Sequence, residues 1–336
     1  MTVTKHSVIS AEDDPGTRFN VYIVRGSLRD LTAVDFSCVN IACINMATDH
    51  LKIISDGFKA VNDQAYSILA VVKRTIRKMH DEPKYIHVLL PLDFKKPVEE
   101  YNYSRSIDVL KLLFPSDLQY ETVAHFILRK GNEVEWEASS GYHFYTSGAS
   151  FMDNYLTYPL DKQISKVNDF ITLFFQRIDQ LKYVRVAFDA YINSFLNMPA
   201  HMSFVSLSMA LETIVSEKTE LLFRIRRSVA LICGENDYHA SIIYENIKLI
   251  YDLRSSIVHG ELFKYHLVTE YFPYLRSLVS RLIIELIYLN IQTPKALQEK
   301  LLFAGYIDRN SIIKTEKLAV NLFIHSDTMQ SLKKNQ

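Results

Sequence analysis

Cysteine, glycine, proline and tryptophan are all scarce in this chain of 336 residues. Its three cysteines (Cys38, Cys43 and Cys233) are too few and too scattered for a disulfide framework or a four-ligand zinc site. Nine glycines and nine prolines favour long regular elements, mostly helical. We therefore expect a folded, mainly α protein whose thiols are reduced.

An excess of charge is also lacking, because 38 Lys and Arg balance 38 Asp and Glu. A basic bias across a whole domain is a common footprint of nucleic-acid binding, so any such site here must be a local patch. The pattern around His239, His266 and His325 has no metal-ligand spacing. We expect no metal and no cofactor.

Long apolar runs are missing as well. The longest, residues 278–291, contains Arg281 and Glu285, which indicates a buried helix and not a membrane span. The polar residues 1–15 lack the apolar core of a signal peptide. We expect a cytoplasmic protein with no membrane partner.

Aromatic residues are abundant, with 20 Tyr and 19 Phe, and they are first of all core filler. The first half reads as mixed α and β, with a long amphipathic helix over residues 51–79. Its β-branched and aromatic segments predict strands at residues 19–25, 34–46, 85–91, 121–129 and 133–137. Residues 139–159, which combine glycine with four tyrosines, are the best candidate for a domain boundary.

The second half has helical periodicity almost throughout. The helices are predicted at residues 161–196, 200–217, 219–233, 240–258 and 269–291, with Pro273 placed in a first turn. Short connections between them predict an antiparallel bundle. The predicted division is an α+β N-terminal domain (1–155), a helical bundle (156–300) and a C-terminal helical extension and tail (301–336).

The end of the fourth helix, residues 251–260, places Arg254 and His259 five positions apart in an apolar context. Arginine can hold a phosphate with a planar fork of donors, and histidine can transfer a proton near neutral pH. Positions five apart on a continuous helix are separated by about 140°. The pair therefore converges only if the helix unwinds near Val258, and Gly260 suits a left-handed C-cap that would unwind it.

A purely structural interpretation of the same residues is open. His259 would cap the helix C-terminus, and Arg254 would pair with Asp252 or Glu212. The spacing alone has little weight, because Arg74 and His80 show the same pattern in a charged, solvated run.

Three blocks in order, residues 206–212, 221–234 and 251–260, resemble the Apea-like branch of the HEPN superfamily. The resemblance covers about residues 160–290. It implies a helical bundle that usually dimerises, and in many members a metal-independent ribonuclease of toxin or antiviral abortive-infection systems. In that family two protomers bring their Arg-x4-6-His motifs to one composite site.

Carried over, the resemblance assigns Arg254 and His259 to the catalytic motif and gives Glu212 the role of supporting Arg254. The position after the arginine, often Asn, Asp or His in toxin branches, is Ser255 here. RNA backbone contacts are open to Arg224, Arg226 and Arg227, and salt bridges to Glu217 and Glu220 are the alternative for these arginines.

The resulting hypothesis is an endoribonuclease of prokaryotic defence that acts on RNA as a homodimer, through 2′-hydroxyl attack. The N-terminal domain would sense a phage-derived trigger, restrain the nuclease or bind a regulatory protein. The alternative is a non-catalytic HEPN module that binds RNA, nucleotide or protein. Ser255 and the balanced net charge favour that alternative.

Overall fold

The chain divides into two compact units. The first comprises Met1–Ile107 and Leu118–Phe144, and the second comprises Asp108–Asp117 and Tyr145–Gln336. The computed structural model describes residues 17–25, 31–45, 87–93, 96, 98–115, 118–128, 134–138, 160–196, 198–215, 219–302 and 330–332.

Several sequence-based expectations lie outside the described residues. They are the helix over residues 51–79, the Arg74–His80 pair and the boundary segment 139–159. The predicted three-part division of the chain stays a prediction.

An antiparallel sheet forms the first unit. Its strands are β1 (Thr17–Arg25), β2 (Ile41–Asn45), β3 (His87–Pro91), β4 (Gln119–Leu128) and β5 (Val134–Ala138), in the order β2-β3-β1-β4-β5. Neighbouring strands are antiparallel, for example with Tyr22 opposite Leu89 of β3 and Phe19 opposite Phe126 of β4. Residues 21–24 of the central strand are all buried, so both faces of the sheet are covered there.

The strand predicted over residues 34–46 is shorter than expected. A 3-10 helix occupies Ser37–Val39, and Asn40 follows in the left-handed conformation with φ of 59°. Asn40 is held there because its side chain accepts from the Asp93 backbone N–H (2.8 Å) and donates to the Asp93 carbonyl (3.0 Å). Asparagine tolerates this conformation better than most residues. The strand therefore begins only at Ile41.

Helix α1 (Glu100–Leu113) has no counterpart in the sequence-based expectations. It begins in the first unit, where the Tyr103 ring lies 4.5 Å from that of Tyr22, and it ends in the second. Residues 109–114 are buried without interruption. A helix end buried on all sides loses the polar stripe that marks an amphipathic helix in sequence.

The second unit is helical over its described residues, apart from the connections. Its helices are α2 (Leu160–Arg177), α3 (Lys182–Asn193), α4 (Ala200–Glu212), α5 (Leu221–Cys233), α6 (Asp237–Val258), α7 (Tyr265–Leu289) and α8 (Pro294–Leu302). Helix α7 is central, because it contacts α2 through α6 and is buried over residues 274–287. The chain is therefore mainly helical, with one antiparallel sheet in its first unit.

Three helix boundaries differ from the expected ones. The single helix predicted at residues 161–196 is two helices, and the turn between them places Ile178 and Leu181 in the core. Helix α4 ends at Glu212 and not at residue 217. Helix α7 begins at Tyr265, so Pro273 lies in its interior and not in its first turn. Pro273 is exposed, where water can solvate the carbonyl that proline leaves unpaired.

The charges inside the longest apolar run are buried, as expected for a buried helix. Arg281 of α7 is buried, and its Nη1 atom lies 3.2 Å from Oε1 of Glu235 in the connection between α5 and α6. Among the described residues, no helix is long and apolar enough to cross a membrane. The connection between α5 and α6 requires glycine at position 234, since a Cβ there would lie 2.5 Å from the Ala230 carbonyl oxygen.

Candidate functional site

The end of α6 carries the predicted motif. The helix begins after Asn236, whose side chain accepts from the His239 backbone N–H, and continues to Val258. Gly260 is left-handed with φ of 68°, which confirms the predicted left-handed C-cap. The Gly260 N–H donates to Ile257 (3.3 Å) and the Glu261 N–H to Ser256 (2.9 Å), the bonds of a Schellman motif.

Arg254 is held by an ion pair. Its Nη2 atom lies 3.1 Å from Oε1 of Glu212, and the two side chains are 26% and 27% exposed. The Nε atom of Arg254 is buried and has no hydrogen-bond partner among the described residues. Of the partners considered for Arg254, Glu212 is therefore the one observed. One edge of the guanidinium is fixed while part of the group remains open to solvent.

Glu212 occupies a position that disfavours its charge. It is the last residue of α4, where the helix dipole repels a carboxylate. The Arg254 guanidinium compensates for this repulsion. The pair also joins the end of α4 to the last turns of α6, so it fixes where Arg254 lies in the bundle.

Tyr251 completes this cluster, and sequence reasoning assigned it no role. Its phenol lies between the Ser208 carbonyl oxygen, at 3.5 Å, and the Glu212 carboxylate. Burial raises the pKa of Tyr251, the Glu212 charge raises it further, and Arg254 opposes both effects. Tyr251 therefore stays a neutral donor. The sequence could have indicated this contact, because Tyr251 lies three positions before Arg254 and residues three apart on a helix share a face.

His259 is exposed at the helix end. It has near-helical angles (φ −85°, ψ 1°), and its backbone N–H donates to the Ser255 carbonyl (3.0 Å). The unwinding expected near Val258 occurs two residues later, at Gly260. The backbone therefore does not turn His259 toward Arg254. The two residues stay about 140° apart around the helix axis, as on a continuous helix. Ser255, the next residue after Arg254, is also exposed.

The three arginines of α5 all make contacts within the chain. Arg226 donates to the Tyr244 carbonyl (2.8 Å) and to Oε1 of Glu245 (3.1 Å), and its guanidinium lies 3.7 Å from the centre of the Tyr244 ring. Arg224 donates to Thr219, and Arg227 donates to Leu302. The acidic partner of Arg226 is thus Glu245 on α6. Of the two partners expected from the sequence, Glu217 lies outside the described residues, and the pairing of these arginines with Glu220 stays a prediction.

Apolar side chains are exposed around His259. Val258, Leu262 and Tyr265 surround it along the chain, and we name these three residues the loop surface. The ring of Phe263 lies 6.0 Å from that of His201 on α4, so the loop packs beside that helix. Met202 and Met209 of α4 are exposed too, and their seven-residue spacing puts them on one face. These exposed apolar side chains make the surface near His259 a candidate interaction site.

The described residues contain no group of three or more His, Cys, Asp or Glu side chains that could hold a metal ion. Comparison with protein-family models, with curated proteins and with solved structures finds no match for this chain.

Proposed function

We propose that the chain is a HEPN-type, metal-independent endoribonuclease of a prokaryotic defence system, abortive-infection or toxin-like, acting in the cytoplasm as a homodimer. The observation that carries the proposal is the arrangement at the end of α6. Arg254 is oriented by Glu212, and a solvent-exposed His259 follows on the same helix end. These groups suit phosphodiester cleavage without a metal.

The proposed reaction uses the RNA 2′-hydroxyl as nucleophile. His259 of one protomer removes the 2′-hydroxyl proton, and the oxygen attacks the adjacent phosphorus. The bond from phosphorus to the 5′-oxygen breaks, and the protonated His259 of the other protomer gives that oxygen a proton. Arg254 stabilises the charge that builds on the phosphoryl oxygens. The products are a 2′,3′-cyclic phosphate and a 5′-hydroxyl.

The helix geometry is the reason for two protomers. Because α6 stays helical through Val258, Arg254 and His259 of one chain do not face one another. A second copy can supply the missing histidine. The loop surface and the exposed methionines of α4 offer that copy an apolar contact beside His259. The N-terminal unit would then sense a trigger, restrain the nuclease or bind a regulatory protein.

The test is RNA cleavage by the purified protein in the presence of a chelator. We expect cleavage that Arg254→Ala and His259→Ala each abolish. Two matched variants control for charge and surface: Arg185→Ala, which loses an exposed ion pair with Asp179, and His266→Ala, which loses another exposed histidine. Equal cleavage by all variants would exclude this site.

A mixing experiment tests the composite site. Co-expression of Arg254→Ala and His259→Ala chains with different tags yields mixed dimers that retain one Arg254 and one His259. We expect such dimers to recover part of the cleavage that neither parent shows, because the remaining His259 acts as the base beside an intact Arg254 while water replaces the second His259 as the proton donor, at a cost of about 10²–10⁴-fold in rate. If the mixed dimers form but stay inactive, a site that combines one intact arginine with one intact histidine is wrong.

The alternative function, a non-catalytic HEPN module that binds RNA, nucleotide or protein, is favoured by one observation. The residue after Arg254 is an exposed Ser255, at the position where toxin branches of the family often carry Asn, Asp or His. A protein that binds RNA or nucleotide but cleaves no RNA, with and without candidate triggers, would establish this alternative.

A further inference from the structure

Asn246, one of the buried polar residues of α6, holds the C-terminal segment of the chain. Its side chain is fully buried, and its Nδ2 atom donates to the Gln330 carbonyl oxygen at 2.7 Å. Its Oδ1 atom accepts from the Leu332 backbone N–H at 3.0 Å. One amide therefore binds the backbone on both sides of Ser331.

This geometry is that of peptide recognition. A side-chain amide that binds one carbonyl and one N–H two residues apart reads main chain, whatever the side chains are. Selectivity comes from Leu332, since its side chain is only 7% exposed and a polar or charged residue buried there would be costly. A buried amide left without these bonds would be costly, so Asn246 is matched to an occupant.

The surroundings of Asn246 come from two helices. Tyr274 of α7 lies beside it: burial raises the pKa of this phenol, and the Asn246 side chain and the Arg281 charge oppose that rise. Asn246 of α6 and Tyr274 of α7 are thus neighbouring buried polar groups, and we name the position beside Asn246 that the segment occupies the groove. Residues 303–329 separate the bound segment from α8, so the contact joins distant parts of the chain.

We propose that the groove at Asn246 is a peptide-docking site, and that the chain's own segment Gln330–Ser331–Leu332 is its exchangeable ligand. Two hydrogen bonds and one leucine make a weak contact in trans. Tethering to the same chain raises the effective concentration, so the segment docks in cis. Asn246 is on α6, the helix that also carries Arg254, so docking of the segment can affect the position of the end of α6.

The test uses full-length protein and a fluorescent peptide of residues 326–336. In the Leu332→Asp chain the anchor is lost and the groove is vacant, so this chain should bind the peptide saturably. The wild-type chain should bind the peptide at least about tenfold more weakly, because its own segment competes. A Leu332→Asp peptide should not bind, and adding Asn246→Ala to the vacant chain should abolish binding.

Equal binding by wild type and the Leu332→Asp chain would overturn the proposal, as would no binding to a Leu332→Asp chain that melts cooperatively. Wild-type protein gives an independent measurement by amide exchange. The Leu332 N–H should be protected because it donates to Asn246, and free exchange there would contradict docking even if the variants fail to fold. Dimers that dissociate in the Leu332→Asp chain would assign the segment to a second copy and refute docking in cis.

Discussion

Replacing Glu212 with glutamine removes a negative charge while keeping the size of the side chain. The ion pair with Arg254 has a separation of 3.1 Å, and its side chains are 26% and 27% exposed. Solvent screening at this exposure limits its contribution to about 0.5–1 kcal/mol of unfolding free energy. We therefore expect Glu212→Gln to lower the melting temperature by only about 2–4 °C.

Glu245→Gln is the matched control. It breaks another ion pair, Arg226 Nη2 to Glu245 Oε1, which also has a separation of 3.1 Å. Both variants should lose similar stability. Only Glu212→Gln should impair RNA cleavage, by about 10- to 100-fold in kcat, because small misplacements of a catalytic group have effects of that size.

The assay is single-turnover cleavage of RNA in chelator, with melting curves on the same preparations. Equal cleavage rates for Glu212→Gln and Glu245→Gln would refute the positioning role of Glu212. Faster cleavage by Glu212→Gln would refute it differently, since the carboxylate would then restrain Arg254 and not orient it.

Four further predictions concern stability. Tyr251→Phe keeps the buried ring but loses the donor near Glu212, so urea unfolding should show a loss of about 0.5–1 kcal/mol, and no loss would contradict the contact. Gly234→Ala places a Cβ 2.5 Å from a carbonyl oxygen and should cost about 1–3 kcal/mol. Gly260→Ala meets no atom within 4 Å and should cost only backbone strain, about 1 kcal/mol, in the same melting assay. Burial raises the pKa of Tyr103, Tyr191 and Tyr274, so folding favours the neutral phenols. The contribution of these phenols to stability should be constant below about pH 10 and be lost as the pH rises above it; unchanged circular dichroism up to pH 12 would refute this.

Much of the described fold follows from local sequence signals. Strands β1, β3, β4 and β5 lie within about two residues of the expected segments, because their β-branched and aromatic residues suit a pleated, buried surface. The break between α2 and α3 has no such signal. It contains neither glycine nor proline, and tertiary contacts decide it: Arg177 donates to the carbonyls of Ile287 and Tyr288 at the end of α7. The periodicity of one sequence segment does not predict its contacts with a distant helix.

Some features of the candidate site could also be predicted from local sequence signals, and others could not. Glycine at position 260 signals a left-handed helix end, and Glu212 is one of the two acids considered for Arg254. The direction of His259 was not predictable, since it depends on which single residue leaves the helix. Tyr251 was missed because an apolar helix face and a hydrogen-bonding tyrosine look alike in sequence.

The charge around Arg254 bears on whether this site would bind RNA tightly or would catalyse its cleavage. With Glu212 at 3.1 Å, the pair is close to neutral, so it offers a bound phosphate little net attraction. A second copy would add another neutral pair. The donors of Arg254 that Glu212 does not use gain strength as negative charge builds on the phosphoryl oxygens. An arrangement that is weak toward the ground state and stronger toward the transition state suits a catalyst. A module built to bind RNA would leave its arginine unpaired, and its affinity would fall steeply with salt.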